Sequence, residues 1–379
     1  MKKKITVLGT GMVGKAIVAD LSEKYQVTAV DVDEKALNYC HEKYGVKPIQ
    51  KYLNNPQNIK EVVTDADYVV SAVPGFMGYN TLEAVIESGK DVVDISFMPE
   101  DFMQLDEKAK QNGVTAIADC GVAPGMPNII LGFHSHEMQV ERFEYMVGGL
   151  PKERKFPFDY KAPFSPIDVL EEYFRPARIK EYGDLVTKPA MSDAEMVYFR
   201  NIGHLEAFNT DGLRSLLKTM SHIPHMKEKT LRYPGHIRMI EALKQSGFFD
   251  KQEINVGDQK VRPIDVTNKV LMREWELKPE EEEFTIMRVT MEGTTNKERS
   301  RFIYDMYDEY NKETGLSSMG RTTGFTATAV INLLDEKQCK LKGVQPPEIL
   351  GKEKEFFPFI MNYLRERGIY YYMSVERLP

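Results

Sequence analysis

The segment Gly9-Thr10-Gly11-Met12-Val13-Gly14 constrains this chain more than any other, because of where it stands. It follows Lys4–Leu8, an apolar and β-branched run that reads as a strand. It opens Met12–Leu21, whose apolar residues recur at helical spacing. A strand passing through GxGxxG straight into a helix predicts the first βα unit of a dinucleotide fold. Gly9 would make the tight turn, Gly11 would leave bare backbone for a pyrophosphate, and Gly14 would let helix and strand pack closely. The free N–H groups around Thr10, Met12 and Val13 and the positive end of the helix dipole would then hold the phosphates. Asp31 ends the next strand, Gln26–Val30, twenty residues past Gly11. A carboxylate there accepts a hydrogen bond from a ribose 2′-OH and repels a 2′-phosphate, so the cofactor expected is NAD, with Val32 in the same contact set. Asp33 reads as the N-cap of the helix Glu34–Tyr44.

The same rhythm continues to about residue 120. Tyr68–Val73, Asp91–Ile95 and Val114–Ala118 read as strands; Ile59–Thr64, Asn80–Ser88 and Glu100–Asn112 read as helical. Short apolar strands alternating with helices predict a parallel sheet covered on both faces, and right-handed crossovers make it doubly wound. The fold class expected is therefore α/β, a Rossmann-type doubly wound parallel sheet. Strand ends line the ligand crevice in such a sheet, so Ala72, Val73 and Pro74 should skirt the nicotinamide ribose. Asp94-Ile95-Ser96 and Asp119-Cys120-Gly121 end two further strands, and Met126–Gly132 restarts a helix.

Beyond residue 125 the alternation stops. Phe143–Val147, Thr230–Tyr233 and Phe284–Met291 read as strands, and Gly148–Pro166 as a long loop. Ser165 to Asp168 reads as a capping box before a short helix, and Asp211 as the cap of the helix Gly212–Met220. His236–Gln245 and the apolar Phe325–Leu334 read as helices, the second returning to the first domain because so uniform an apolar surface wants burial on most sides. Pro279–Glu283 reads as a solvated acidic loop. The organisation expected is a dinucleotide domain at 1–125, an inserted α+β substrate and dimerisation domain at 126–320, and a returning helix plus tail at 321–379. A net charge of −7 and an isoelectric point near 5.7 argue against a nucleic-acid backbone binder. No run approaches a membrane span. The basic N-terminus is followed by an apolar stretch that glycines break, and so reads as a strand, not a signal peptide. Cys40, Cys120 and Cys339 are widely spaced with no CxxC, which suits a reducing cytoplasm. No metal site is expected: His134 and His136 cannot share a helix face, and His222 and His225 have no ligand cluster with them.

Taken in order, several pieces resemble the saccharopine dehydrogenase family, and within it the lysine 6-dehydrogenases. They are GTGMVG; Asp119 with Gly121–Met126 and Asn128; Gly148-Gly149 with Pro151; Leu205–Phe208 with Thr210; Arg232-Tyr233 with Gly235-His236; Arg321 in SMGRTTGFTA; and Val344–Glu348. Cys120 and Asn209–Arg214 depart from the lysine-specific pattern. The resemblance implies redox chemistry at a carbon bearing nitrogen: NAD-dependent oxidative deamination of the L-lysine side chain to the 6-semialdehyde, which cyclises to a piperideine carboxylate. It also implies a small-molecule amino-acid substrate and a homodimer. That chemistry needs a proton acceptor and a cation for the α-carboxylate. Asp119 at a strand end is the first candidate acceptor, or else a turn cap. His236 is a candidate relay, or a buried imidazole satisfied by backbone. Arg232 and Arg321, with Arg214 third, are the candidate carboxylate clamps, or structural ion pairs. Tyr233 reads as core or pocket wall. Two other functions stay open: a saccharopine dehydrogenase acting on a secondary amine, and an NAD(H)-binding sensor without turnover.

Overall fold

The computed structural model describes residues 2–164, 166–200, 202–279, 281–337 and 341–379. The first half runs β1 (Lys4–Leu8), α1 (Met12–Lys24), β2 (Gln26–Asp31), α2 (Glu34–Tyr44), β3 (Lys47–Gln50), α3 (Pro56–Val63), β4 (Tyr68–Ser71), α4 (Gly75–Glu87), β5 (Asp91–Asp94), α5 (Asp106–Gln111), β6 (Thr115–Ile117) and α6 (Met126–His134). These strands are short and apolar because helices cover both of their faces: Ile5, Val7, Leu8, Val69, Val70, Val92 and Val93 are all fully buried. Every pairing in this sheet is parallel. The order β6-β5-β4-β1-β2-β3 is doubly wound about β1, as the sequence predicts, and a late strand, β17 (Gly343–Gln345), adds beside β6 as the seventh. Asp33 does cap α2, accepting from the Lys35 N–H at 2.9 Å.

The second half is built on a nine-stranded mixed sheet. Its elements are β7 (Gln139–Pro151), α7 (Pro166–Glu172), β8 (Ala177–Glu181), β9 (Asp184–Lys188), β10 (Glu195–Phe199), β11 (Gly203–Asn209), α8 (Leu216–Thr219), β12 (His225–Arg232) and α9 (His236–Gln245). A small hairpin follows, β13 (Ile254–Val256) with β14 (Gln259–Val261), then α10 (Pro263–Glu274), β15 (Glu283–Thr295) and β16 (Glu298–Glu309). The chain ends with α11 (Ser318–Lys337), β17, α12 (Pro347–Lys352), α13 (Phe356–Glu366) and β18 (Tyr371–Arg377). The order is β10-β11-β12-β7-β15-β16-β18, with β8 and β9 beside β12; β7 and β12 run parallel and the other pairs antiparallel. α11 packs on α1, which covers the first sheet. There Asp20 accepts from Tyr363 Oη at 2.6 Å, Arg367 Nε at 2.5 Å and the Thr328 hydroxyl. Among the described residues no helix is long and apolar enough to cross a membrane.

Several local readings need correcting. Asp211 caps no helix: α8 starts only at Leu216, and the Asp211 carboxylate grips Arg178 through two bonds of 2.9 and 2.8 Å. The presumed loop from Gly148 begins as the end of β7, hydrogen-bonded to β15. Glu283 is not solvated; it is 1% exposed, opens β15 and accepts from the Ser318 N–H at the start of α11. Glu281 and Glu282 are ion-paired to Lys155 and Lys312. The segment read as one helix from Glu100 is a 3-10 turn, Phe102–Leu105, followed by α5. The Ser165 cap and Cys339 lie outside the described residues.

Candidate active site

One cleft of about 530 Å³ runs from the glycine loop of the first sheet to one face of the second. At its first end the backbone dictates the residue types. Gly9 turns with φ +96°, and its N–H donates to Val30 O at 2.8 Å. A Cβ on Gly14 would stand 2.1 Å from the Gly9 carbonyl oxygen, so only glycine lets α1 approach the turn. A Cβ on Gly11 would meet nothing within 4 Å, so this residue leaves open space inside the cleft. The first turn of α1 carries no acidic residue, and no side chain caps it. Uncapped amides around a bare backbone fit a dinucleotide's diphosphate. Gly9, Gly11, Met12, Val13, Gly14, Asp31, Val32, Ala72, Val73 and Pro74 all line this end. Thr10 is the exception; it is fully buried and turned toward Asp31. Asp31 Oδ2 accepts from Thr10 N at 2.5 Å and Thr10 Oγ1 at 3.0 Å, and Oδ1 accepts from Asp33 N at 2.9 Å. A carboxylate has about four lone-pair sites, so this anchored group keeps capacity for a sugar hydroxyl.

The other end is floored by alternate residues of β12. Glu228, Thr230 and Arg232 share one face of the strand, and Glu228 and Thr230 stand opposite Tyr145 and Val147 of β7. Arg232 spends three of its five N–H donors within the protein: it donates to Glu172 Oε2 at 2.5 Å, Tyr173 Oη at 3.2 Å and Leu231 O at 2.9 Å. Glu228 is buried, and its partners are all neutral: Oε2 accepts from Gly212 N at 3.0 Å, and the Thr210 hydroxyl assists. Burial, reinforced by the neighbouring carboxylates of Glu172 and Asp211, pushes its carboxyl up to about 8 against those donors. Arg175 also lines the cleft; its guanidinium lies 4.9 Å from the Phe97 ring centroid and 3.7 Å from Glu171.

Of the six side chains expected to act on substrate, only Arg232 lines the cleft. Asp119 and Arg214 meet each other instead, in a buried ion pair of 2.5 Å, while Arg214 Nη1 donates to Met98 O at 2.7 Å. Burial raises the Asp119 carboxyl and the Arg214 guanidinium opposes it; Oδ1 has no donor among the described residues. Arg321 is held by Asp308 at 3.0 Å and by Arg367 O at 3.1 Å. The Tyr233 hydroxyl donates to Pro151 O at 3.0 Å. His236 Nδ1 donates to Phe158 O at 2.9 Å, so Nε2 is left to accept from the Tyr173 hydroxyl at 2.8 Å. Burial, with the charge of Arg232, pushes that imidazole down to about 3, so it stays neutral. His236 thus reaches the cleft only through Tyr173 and Arg232. Sequence reading missed Glu228 and Arg175; the period-2 spacing of Glu228 with Thr230 and Arg232 sets the first on their strand face, and only the fold shows that it is enclosed. Among the described residues no group of three His, Cys, Asp or Glu could hold a metal ion.

Comparisons with known proteins place both halves of the chain in one family. A family model described as the saccharopine dehydrogenase NADP binding domain matches residues 5–117, and one described as the saccharopine dehydrogenase C-terminal domain matches 121–369. The mitochondrial alpha-aminoadipic semialdehyde synthase of Mus musculus is 21% identical over 97% of this chain and 47% of its own length. The saccharopine dehydrogenase [NADP(+), L-glutamate-forming] of Saccharomyces cerevisiae is 24% identical over 67% of this chain and 60% of its own. The chain thus spans about half the length of these curated relatives. The apo structure of the L-Glu-forming saccharopine dehydrogenase from Saccharomyces cerevisiae superposes with a TM-score of 0.80 at 19% identity, covering 99% of this chain and 100% of that one, a likeness of fold.

Proposed function

The chain belongs to the saccharopine dehydrogenase family, and from that premise we propose that it oxidises the side-chain amine of L-lysine with NAD, giving ammonia and the 6-semialdehyde that closes to piperideine-6-carboxylate. The observation that carries this reading is the charge of the substrate end. Asp168, Glu171, Glu172 and Asp211 line it, with the raised carboxyl of Glu228 among them, against the guanidinium groups of Arg175 and Arg232 on the lining and Arg178 behind Asp211, an excess of acid over base. Lysine brings two ammonium groups and one carboxylate. Saccharopine brings three carboxylates and two amines, and an acid-rich wall opposes it. Arg232 is already satisfied by Glu172, whereas the Glu171 contact of Arg175 is loose, so Arg175 is the group assigned to the α-carboxylate.

The amides of Gly11 to Gly14 would hold the diphosphate and Asp31 the adenosine ribose, with Ala72 to Pro74 beside the second ribose. When bound there, a nicotinamide supplies two-electron redox chemistry at the carbon bearing nitrogen. The residues of this chain bind and orient the amine, and a water entering the cleft must then add to the imine carbon to release ammonia and leave the aldehyde. The carboxylate of Asp31 favours NAD, whereas the yeast relative is named for NADP(+). Two described cysteines, Cys40 and Cys120, are buried and unpaired, as a reducing cytoplasm allows. A homodimer belongs to the same proposal: β18 is an open edge strand with Tyr372 and Val375 exposed, a surface that a second copy would cover.

The test is reduced-nicotinamide formation with lysine, ornithine and saccharopine, each with NAD and with NADP, and chemical trapping of the cyclic imine. Lysine with NAD should give the largest kcat/KM, at least tenfold above NADP. Turnover of saccharopine without lysine would defeat the substrate assignment, and no turnover of any amine would leave the sensor reading.

A further inference from the structure

We propose that Glu228 is the catalytic group that takes the proton from the substrate's side-chain ammonium, an assignment that rests on the amine-oxidation reading above. A protonated amine has no electron pair to form a C=N bond, so a base must stand where the amine sits. Asp119, the acceptor that the sequence suggests, is behind the cleft wall and committed to Arg214. Of the other carboxylates on the wall, Glu172 is paired with Arg232 and Asp211 with Arg178, Glu171 is more than half exposed beside Arg175, and Asp168 accepts from the Gly75 N–H at 3.5 Å, at the first-sheet end of the cleft. Glu228 lies on the sheet floor, oriented by the Gly212 N–H and the Thr210 hydroxyl, and every partner it has is neutral. The Tyr145 hydroxyl fixes that loop by donating to Gly212 O at 2.7 Å. A carboxylate held by neutral donors on an enclosed floor is placed to receive a cation and then a proton.

The step balances as follows. One N–H bond of the ammonium breaks, its proton goes to the Glu228 carboxylate, and the electron pair stays on nitrogen. That pair forms the C=N bond as the Cε–H hydrogen leaves with its two electrons to the oxidised nicotinamide. The charged and titratable groups facing Glu228 are Glu172 on α7, Asp211 in the 210–212 loop, Tyr145 on β7 and Arg232 on its own strand. Burial first, and then the two carboxylates, hold its proton on, against the Thr210 hydroxyl and the Gly212 N–H. With Glu228 titrating near 8, kcat/KM should climb with pH from 6 to 8 and level above, in a range where the ε-ammonium is still intact.

The experiment compares wild type, Glu228→Gln and Glu228→Asp, with thermal melting and NADH fluorescence titration as controls. Glu228→Gln should lower kcat about 100-fold or more and abolish the rising limb, with NADH affinity unchanged. Glu228→Asp should recover part of the rate with the limb displaced, which also covers the case in which the glutamine variant folds poorly. A glutamine variant within threefold of wild type, or one that is slower but keeps the limb, overturns the assignment. If wild type turns over saccharopine and not lysine, the substrate reading fails while the Glu228 comparison is run with saccharopine; if no amine is oxidised, both fall.

Discussion

His236 illustrates how burial decides what an ionisable residue can do. A histidine in RYPGH reads as a proton relay because its ordinary pKa lies near neutrality. In the fold, a carbonyl fixes one ring nitrogen as donor, a tyrosine hydroxyl occupies the other, and burial with Arg232 nearby pushes the imidazole down to about 3. The folded value lies below the unfolded one of about 6.5, so the stabilisation is whole above pH 6.5 and is lost as pH falls toward 3. Equilibrium unfolding of wild type and His236→Gln from pH 7 to 4.5 should show wild type losing about 2 kcal/mol more than the variant over that range. Amine turnover at pH 8 should stay within tenfold in the variant, since His236 acts on Arg232 only through Tyr173. The glycine turn was readable because Gly9, Gly11 and Gly14 act on local backbone and Asp31 anchors the turn from the next strand. Glu228 was not: in the run Lys227-Glu228-Lys229 it looks like solvated charge, and only the meeting of β12 with the 210–212 loop encloses it.

At the scale of elements, the turn between β1 and α1 separates two demands that one motif combines. Gly14 answers to packing and Gly11 to the ligand. Gly14→Ala drives a methyl into the Gly9 carbonyl, so α1 must move off β1, and both melting temperature and NADH affinity should fall, the affinity at least tenfold. Gly11→Ala meets nothing in the protein, so its melting temperature should stay within a few degrees of wild type while NADH affinity falls to a similar extent, read by calorimetry and fluorescence. Equal loss of stability in both variants would contradict this division. The same contrast explains which elements could be read from sequence. Strands of the first sheet are buried on both faces, so their apolar runs stand out. β3 (KPIQ) is an edge strand with a proline and leaves little signal. The edge strands β9 and β10 are polar and largely exposed, and β18 is almost wholly exposed, so their pairing follows from the whole sheet and not from local pattern.

At the scale of the molecule, buried polar ties join the sheet carrying the glycine loop to the segment carrying the substrate floor. Asp119, just past β6, meets Arg214; Glu348, at the start of α12, accepts from Asn128 at 2.9 Å, Ser215 at 3.1 Å and Thr219 at 2.5 Å. Both ties converge on residues 214–219, directly after the loop whose Gly212 N–H orients Glu228. The cleft therefore depends on these ties for its shape, which gives Asp119 and Arg214 a reason to be present without contact with substrate. A buried pair costs most when one member is removed, because the other charge is left without compensation. Arg214→Met should destabilise the protein by about 3 kcal/mol, measured by denaturant unfolding at pH 7. Adding Asp119→Asn removes the stranded charge, and the double variant should regain more than 1 kcal/mol of that loss. Its amine turnover, assayed well below its melting temperature, should remain within tenfold of wild type, whereas Glu228→Gln falls about 100-fold. A double variant that is stable, binds NADH normally and yet has lost turnover as completely as Glu228→Gln would return Asp119 to the chemistry and remove it from the clasp.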